Sequence, residues 1–178
     1  MRVVHEIVCW KDLNKNEKNY INEILDCIHR EKCSKSEFAP VPVRFNNCTF
    51  RDAKLVYLGA TPGNSRERIT WDDKIEARNY ILKPMSVMKS HLDNVTHEYL
   101  GQYVPYILLN VVQCKFISSP SSKSVVWRIC REAYLDGMMS LCSNMKMLIV
   151  FGKKAQCSFQ EAFPDVGLKI SPNQFKGK

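Results

Sequence analysis

The sequence has no apolar run long enough to cross a bilayer, which removes helical membrane proteins from consideration. The stretch "MRVVHEIVCWKDLNK" is not expected to act as a secretory leader, because it meets charge before an apolar segment can form. No internal repeat is found, and scattered basic residues without a low-complexity tail argue against a disordered basic arm and for a folded basic face. Histidine is scarce: His5, His29, His91 and His97 are the full set. None ends a predicted strand, and none pairs with a cysteine at nucleophile-like spacing, so each reads as a surface or helix residue. The expectation is a single domain, residues 1–178, that is soluble, cytoplasmic and monomeric, with no membrane partner.

Basic residues and cysteine are plentiful. The net charge is +8. A basic surface favours polyanions, because binding releases condensed counterions. A merely solubilising surface is the plainer alternative, and charge alone does not choose. The eight cysteines are not expected to form disulfides in a reducing compartment. They are either small buried apolar residues or, in part, ligands. Cys27 and Cys33 flank the end of a predicted helix, and Cys114 and Cys130 bracket a Ser/Pro loop. Four thiolates meeting at one point suit zinc or an iron–sulfur cluster. Spacing leaves both readings open, since Cys27 to Cys33 is wider than a metal knuckle.

Periodicity predicts an alternation of helices and strands. Tyr20, Ile21, Ile24, Leu25 and Ile28 have helical spacing within residues 14–33. Residues 34–51, with two prolines, read as an extended crossing segment. Leu55 to Gly59, Tyr106 to Val112 and Met147 to Gly152 read as buried strands. Residues 64–76 read as a loop, and 80–92 as a helix with Pro84 in its first turn. Further helices are predicted over 124–143, through Val126, Ile129, Cys130, Ala133, Tyr134 and Met138, and over 153–163. The fold class is therefore α/β, a three-layer sandwich with a short central parallel sheet flanked by helices. The pattern stops after residue 163 without a further strand, so the domain reads as C-terminally incomplete.

Ligands of such sheets bind beyond the carboxyl ends of the strands. Three features gather there. In "LGATPGN", Gly59 and Gly63 permit close backbone approach and Pro62 stiffens the turn. Its amides suit a phosphate or a polar ring edge, although an ordinary strand-to-loop turn is commoner. Asn110 closes an otherwise apolar strand. Its amide both donates and accepts, which suits reading a base edge; satisfying nearby backbone is the equal alternative. Trp71, Tyr80 and Tyr57 offer an aromatic wall, with core packing the better account of Tyr57.

Together these residues resemble the iron–sulfur (family 4) branch of the uracil-DNA glycosylase superfamily. "DAKLVYLGATPG" is similar to that family's first motif, a strand entering Gly-Glu-(Ala/Gly)-Pro-Gly. "LLNVVQC" is similar to its Asn-bearing strand, and "MLIVFGKKA" to a later strand and turn. The interval from Cys114 to Cys130 equals the family's interval between its last two cluster cysteines. The match spans roughly residues 27–163.

The resemblance implies a DNA glycosylase that flips and excises uracil or a modified base, with DNA as partner. It implies a structural [4Fe–4S] cluster on Cys27, Cys33, Cys114 and Cys130, with Cys48 as the substitute for Cys27 and zinc as the alternative metal. Asn110 takes the pyrimidine-reading role. Tyr80 falls near the base-stacking position, ahead of a helix with a matching Lys83. Gly59, Pro62 and Gly63 line the base, and Ala60, Thr61 and Asn64 occupy the catalytic turn. The sequence departs from the pattern twice. Ala60 replaces the motif carboxylate that positions water, and the late His-Pro-Ser motif is absent. Glu67, Asp72 and Asp73 are candidate replacement acids. A catalytically impaired iron–sulfur DNA-binding relative is the second reading. A zinc-stabilised α/β protein that binds a nucleotide or RNA is the third.

Overall fold

Three uninterrupted apolar segments pair side by side to make the parallel part of the sheet. The structure is a computed structural model and describes residues 8–29, 40–41, 43–62, 73–83, 87–102, 104–114 and 125–167. Leu55–Gly59 (β2), Tyr106–Asn110 (β3) and Met147–Val150 (β4) are parallel, and Val43–Asn46 (β1) is added antiparallel to β3. The order is β1-β3-β2-β4. The sheet is thus mixed, where a purely parallel one was expected. β1 comes from the segment read as a crossing stretch. Val43 and Phe45 alternate inward with Arg44 and Asn46, a two-residue period too short to stand out after two prolines.

Alternation along the strands divides the core. Val56, Leu58, Ile107 and Leu109 face the larger cluster, which includes Ile21 and Ile24 of Lys15–Leu25 (α1) and Ile81 of Lys74–Leu82 (α2). Val125–Cys130 (α4), Asp136–Leu141 (α5) and Lys153–Ala162 (α6) add Trp127, Met138 and Phe159 to it. Leu55, Tyr57, Tyr106 and Leu108 face the other way, towards Leu92 of Val87–Leu100 (α3). Helices therefore cover both faces. A π-helical turn, Arg131–Leu135, joins α4 to α5. It shifts the buried stripe to Tyr134 and Leu135 and leaves Ala133 exposed, contrary to its expected place on the inner face.

Two helix boundaries differ from expectation for local reasons. α1 starts at an Asn14 cap that accepts from Glu17 N, and Glu17 bonds back to Asn14 N. It ends at Leu25, and Ile28 is 85% exposed rather than part of the buried stripe. The helix expected over 80–92 is two helices. Lys83 precedes a proline, which disfavours α geometry, and it adopts an extended ψ of 131° that ends α2. Asp73 caps the start of α2 by accepting from Glu76 N at 2.7 Å. No helix among the described residues is long and apolar enough to cross a membrane.

Candidate functional site

The carboxyl ends of β2 and β3 are in register, with Gly59 opposite Asn110. The ladder continues one step further, since Val111 N donates to Gly59 O (2.9 Å) and Val112 N to Ala60 O (3.0 Å). This fixes the start of the Gly-Ala-Thr-Pro turn against the β3 exit. Asn110 is 3% exposed. Its Nδ2 donates to Val41 O at 3.4 Å, near the limit of a useful hydrogen bond. Its Oδ1 would lie 3.3 Å from a Cβ on Gly59. Two ring atoms of Phe151 would lie 3.2 Å from that same Cβ. Residue 59 is therefore tight for any side chain, because an aromatic ring and an amide oxygen already stand close to where its Cβ would be.

Ala60 points elsewhere. It is half-buried and packs against the larger core cluster. Thr61 and Pro62 are half-buried just beyond it. Gly63, Asn64, Glu67, Trp71 and Asp72 lie outside the described residues. Asp73 is engaged as the α2 cap.

Tyr80 is held by the edge strand. The Arg44 guanidinium stands 4.5 Å from its ring centroid, and Arg44 Nη1 donates to its carbonyl at 2.6 Å. Lys83 follows as the cap of the same helix, not as part of a later one. Tyr57 is a core residue. Its hydroxyl pairs with Thr96 Oγ1 at 2.7 Å, and its ring meets Tyr106 edge-on at 5.2 Å.

Three of the four cysteines predicted as ligands share one neighbourhood. Cys27, Cys114 and Cys130 are all buried. All three act on the Tyr134 phenol. Burial raises its pKa first, then a hydrogen bond with Cys27, and then the Cys27, Cys130 and Cys114 thiols nearby. Three separate segments supply them: the exit of α1, the loop after β3, and the end of α4. Cys33 lies outside the described residues. Cys48 is elsewhere, beside Asp52 and Cys142, where burial above all pushes its thiol up to about 12. The Cys142 thiol is also pushed up to about 12, by burial and then by Glu17. Cys27, not Cys48, thus accompanies Cys114 and Cys130. Among the described residues no three His, Cys, Asp or Glu side chains are arranged as ligands of one metal ion. Residue type and burial fit a thiolate-bound cluster; the present arrangement puts a phenol among the thiols instead.

Four residues of this region carried no site expectation from sequence: Arg44, Gln113, Tyr134 and Phe151, of which Tyr134 was read only as a helix position. Gln113 had a signal, being a polar residue inside "NVVQC". Its Nε2 donates to Asn110 O at 2.6 Å and Val111 O at 3.3 Å, which braces the β3 exit. Its Oε1 is buried without a hydrogen-bond partner among the described residues.

No family model matches the sequence, and no curated protein matches it.

Proposed function

We propose that this chain is a DNA glycosylase of the uracil-DNA glycosylase superfamily, with a fold of that type, acting on uracil or a modified base flipped from DNA. The observation that carries the reading is the in-register meeting of Gly59 and Asn110 at the carboxyl ends of adjacent parallel strands. Asn110 Oδ1 accepts from a base N–H, and its second amide proton donates to a base carbonyl. The net charge of +8 suits the DNA backbone.

Cleavage of the glycosidic bond requires a positioned water and stabilisation of the departing base anion. Asn110 and the backbone N–H groups of Ala60 and Thr61 serve the second task. Ala60 contributes no base to the first. A methyl at that position is the observation that favours the second reading, a DNA-binding relative with impaired chemistry. The [4Fe–4S] cluster, with zinc as the alternative, belongs on Cys27, Cys33, Cys114 and Cys130. Its task is to tie the α1 exit to the segment after β3, and no chemical step passes through it.

The test is release of base from uracil-containing single- and double-stranded DNA, read as abasic sites. Abasic sites support the enzyme. Salt-dependent DNA binding without abasic sites supports the impaired relative and removes the enzyme reading.

A further inference from the structure

Gln113 is 1% exposed, just beyond the β3 exit. Its Nε2 donates to Asn110 O at 2.6 Å and to Val111 O at 3.3 Å, and lies 3.5 Å from Met138 Sδ of α5. Its Oε1 is buried without a hydrogen-bond partner among the described residues. An unpaired buried acceptor costs stability, and an apolar side chain of similar length would avoid that cost. Packing alone therefore does not account for an amide at this position. The bonds it makes close a circuit. Gln113 O accepts from Val41 N at 2.8 Å, and Val41 O accepts from Asn110 Nδ2 at 3.4 Å. The Gln113 side chain thus holds the Asn110 backbone, while the Gln113 backbone anchors the residue that holds the Asn110 side chain. The β1 ladder ends short of this point. Its pairs with β3 run from Asn46 opposite Tyr106 to Val43 opposite Leu109, and the residue before Val43 is a proline, which has no N–H to donate. Turning the Asn110 amide over would set Oδ1 against Val41 O, two acceptors with no proton between them.

We infer that Gln113 is a positioning residue for Asn110: it anchors Val41 and the backbone of residue 110, so that the amide keeps Nδ2 on Val41 O and Oδ1 on the Gly59 side. This rests on the proposed reading of Asn110 as the group that reads the base. A fixed amide presents one acceptor and one remaining donor in a set order. For a base held in one orientation, that order selects a ring edge with N–H beside C=O. An amide that turns over presents the two in reverse and loses the choice. Gln113 is itself buried and acts only through Asn110.

The test uses the full chain, isotope-labelled for NMR, and compares wild type with Gln113→Met, Gln113→Leu, Asn110→Leu, and Gln113→Met combined with Asn110→Leu. The side-chain amide signals that vanish in Asn110→Leu belong to Asn110. They are expected to be sharp in wild type and broadened or split in both Gln113 variants, while the backbone signals of α6 stay in place. Gln113→Met should lower the rate of base release from uracil-containing single-stranded DNA about tenfold. It should lower it no further once Asn110 is replaced, because a residue that acts only through Asn110 has no effect without it. Asn110 signals unchanged in the Gln113 variants overturn the inference. So do equal losses of rate from Gln113→Met with and without Asn110. Failure of both Gln113 variants to fold also overturns it, since the amide would then be structural. Loosened Asn110 signals with no abasic sites from wild type leave the positioning role standing and remove only the glycosylase reading.

Discussion

Gly59 and Asn110 meet side by side on neighbouring strands: a methyl on residue 59 would stand 3.3 Å from Asn110 Oδ1 and 3.2 Å from the Phe151 ring. Gly59→Ala therefore forces one of them to move. The expected cost is about 1 kcal/mol of stability, at the low end of overpacking because the ring can yield towards solvent. DNA affinity should fall more than this cost explains, since Asn110 is proposed to read the base. Urea denaturation and anisotropy titration measure the two effects. Unchanged affinity in a destabilised protein would mean that the site lies elsewhere.

Asn110→Leu should separate stability from recognition. Among the described residues the side chain makes one hydrogen bond, at 3.4 Å, so its loss should change stability by no more than about 1 kcal/mol. Discrimination between bases should disappear, because no other side chain is proposed to read the ring edge. A variant that unfolds, or one that keeps full base preference, would count against this role for Asn110.

Metal content checks the cysteine assignment. Protein purified without oxygen should be brown and contain iron and acid-labile sulfide in equal amounts. Cys114→Ala and Cys130→Ala should lose both. Cys48→Ala should retain both, because Cys48 neighbours Cys142 rather than the thiols around Tyr134. Colourless protein with stoichiometric zinc would replace the cluster by a zinc site, and iron loss in Cys48→Ala would reassign the ligands.

Alkaline pH should weaken the fold through the buried thiols. The unfolded Cys48 and Cys142 thiols begin to ionise near their ordinary value of 9.0, while the folded ones hold their protons to about 12. A raised folded pKa means that the stabilisation is complete below the unfolded pKa and is lost as pH rises through the folded one. Stability should be level up to about pH 8.5 and decline above it, at up to about 1.4 kcal/mol per pH unit for each thiol. Denaturation curves of Cys48→Ala and Cys142→Ala should show a shallower decline than wild type. An identical slope would place the alkaline sensitivity in other groups, the buried tyrosines first.

The strands β2, β3 and β4 were legible because continuous apolar runs ending in Gly or Asn leave few alternatives. β1 was hidden by its length: one alternation of Val43 and Phe45 is too little signal without knowing that β3 offers a free edge. The break between α2 and α3 was readable in principle from the residue preceding Pro84, but helical spacing outweighed it. Asn110 stood out as polar in an apolar run. Phe151 did not, because an aromatic closing a strand looks like core, and only the position of β4 at the sheet edge exposes it. The gathering of Cys27, Cys114 and Cys130 depends on three elements packing together, which no spacing rule encodes.

The strand-end site is proposed to receive a base and release it from the sugar. The most direct measurement is abasic-site formation on uracil-containing single-stranded and double-stranded DNA by wild type and Asn110→Leu side by side. The expected result is abasic sites with wild type and at least tenfold fewer with Asn110→Leu, the discrimination carried by one bidentate base contact. Abasic sites formed equally by both proteins, or by neither, would contradict it.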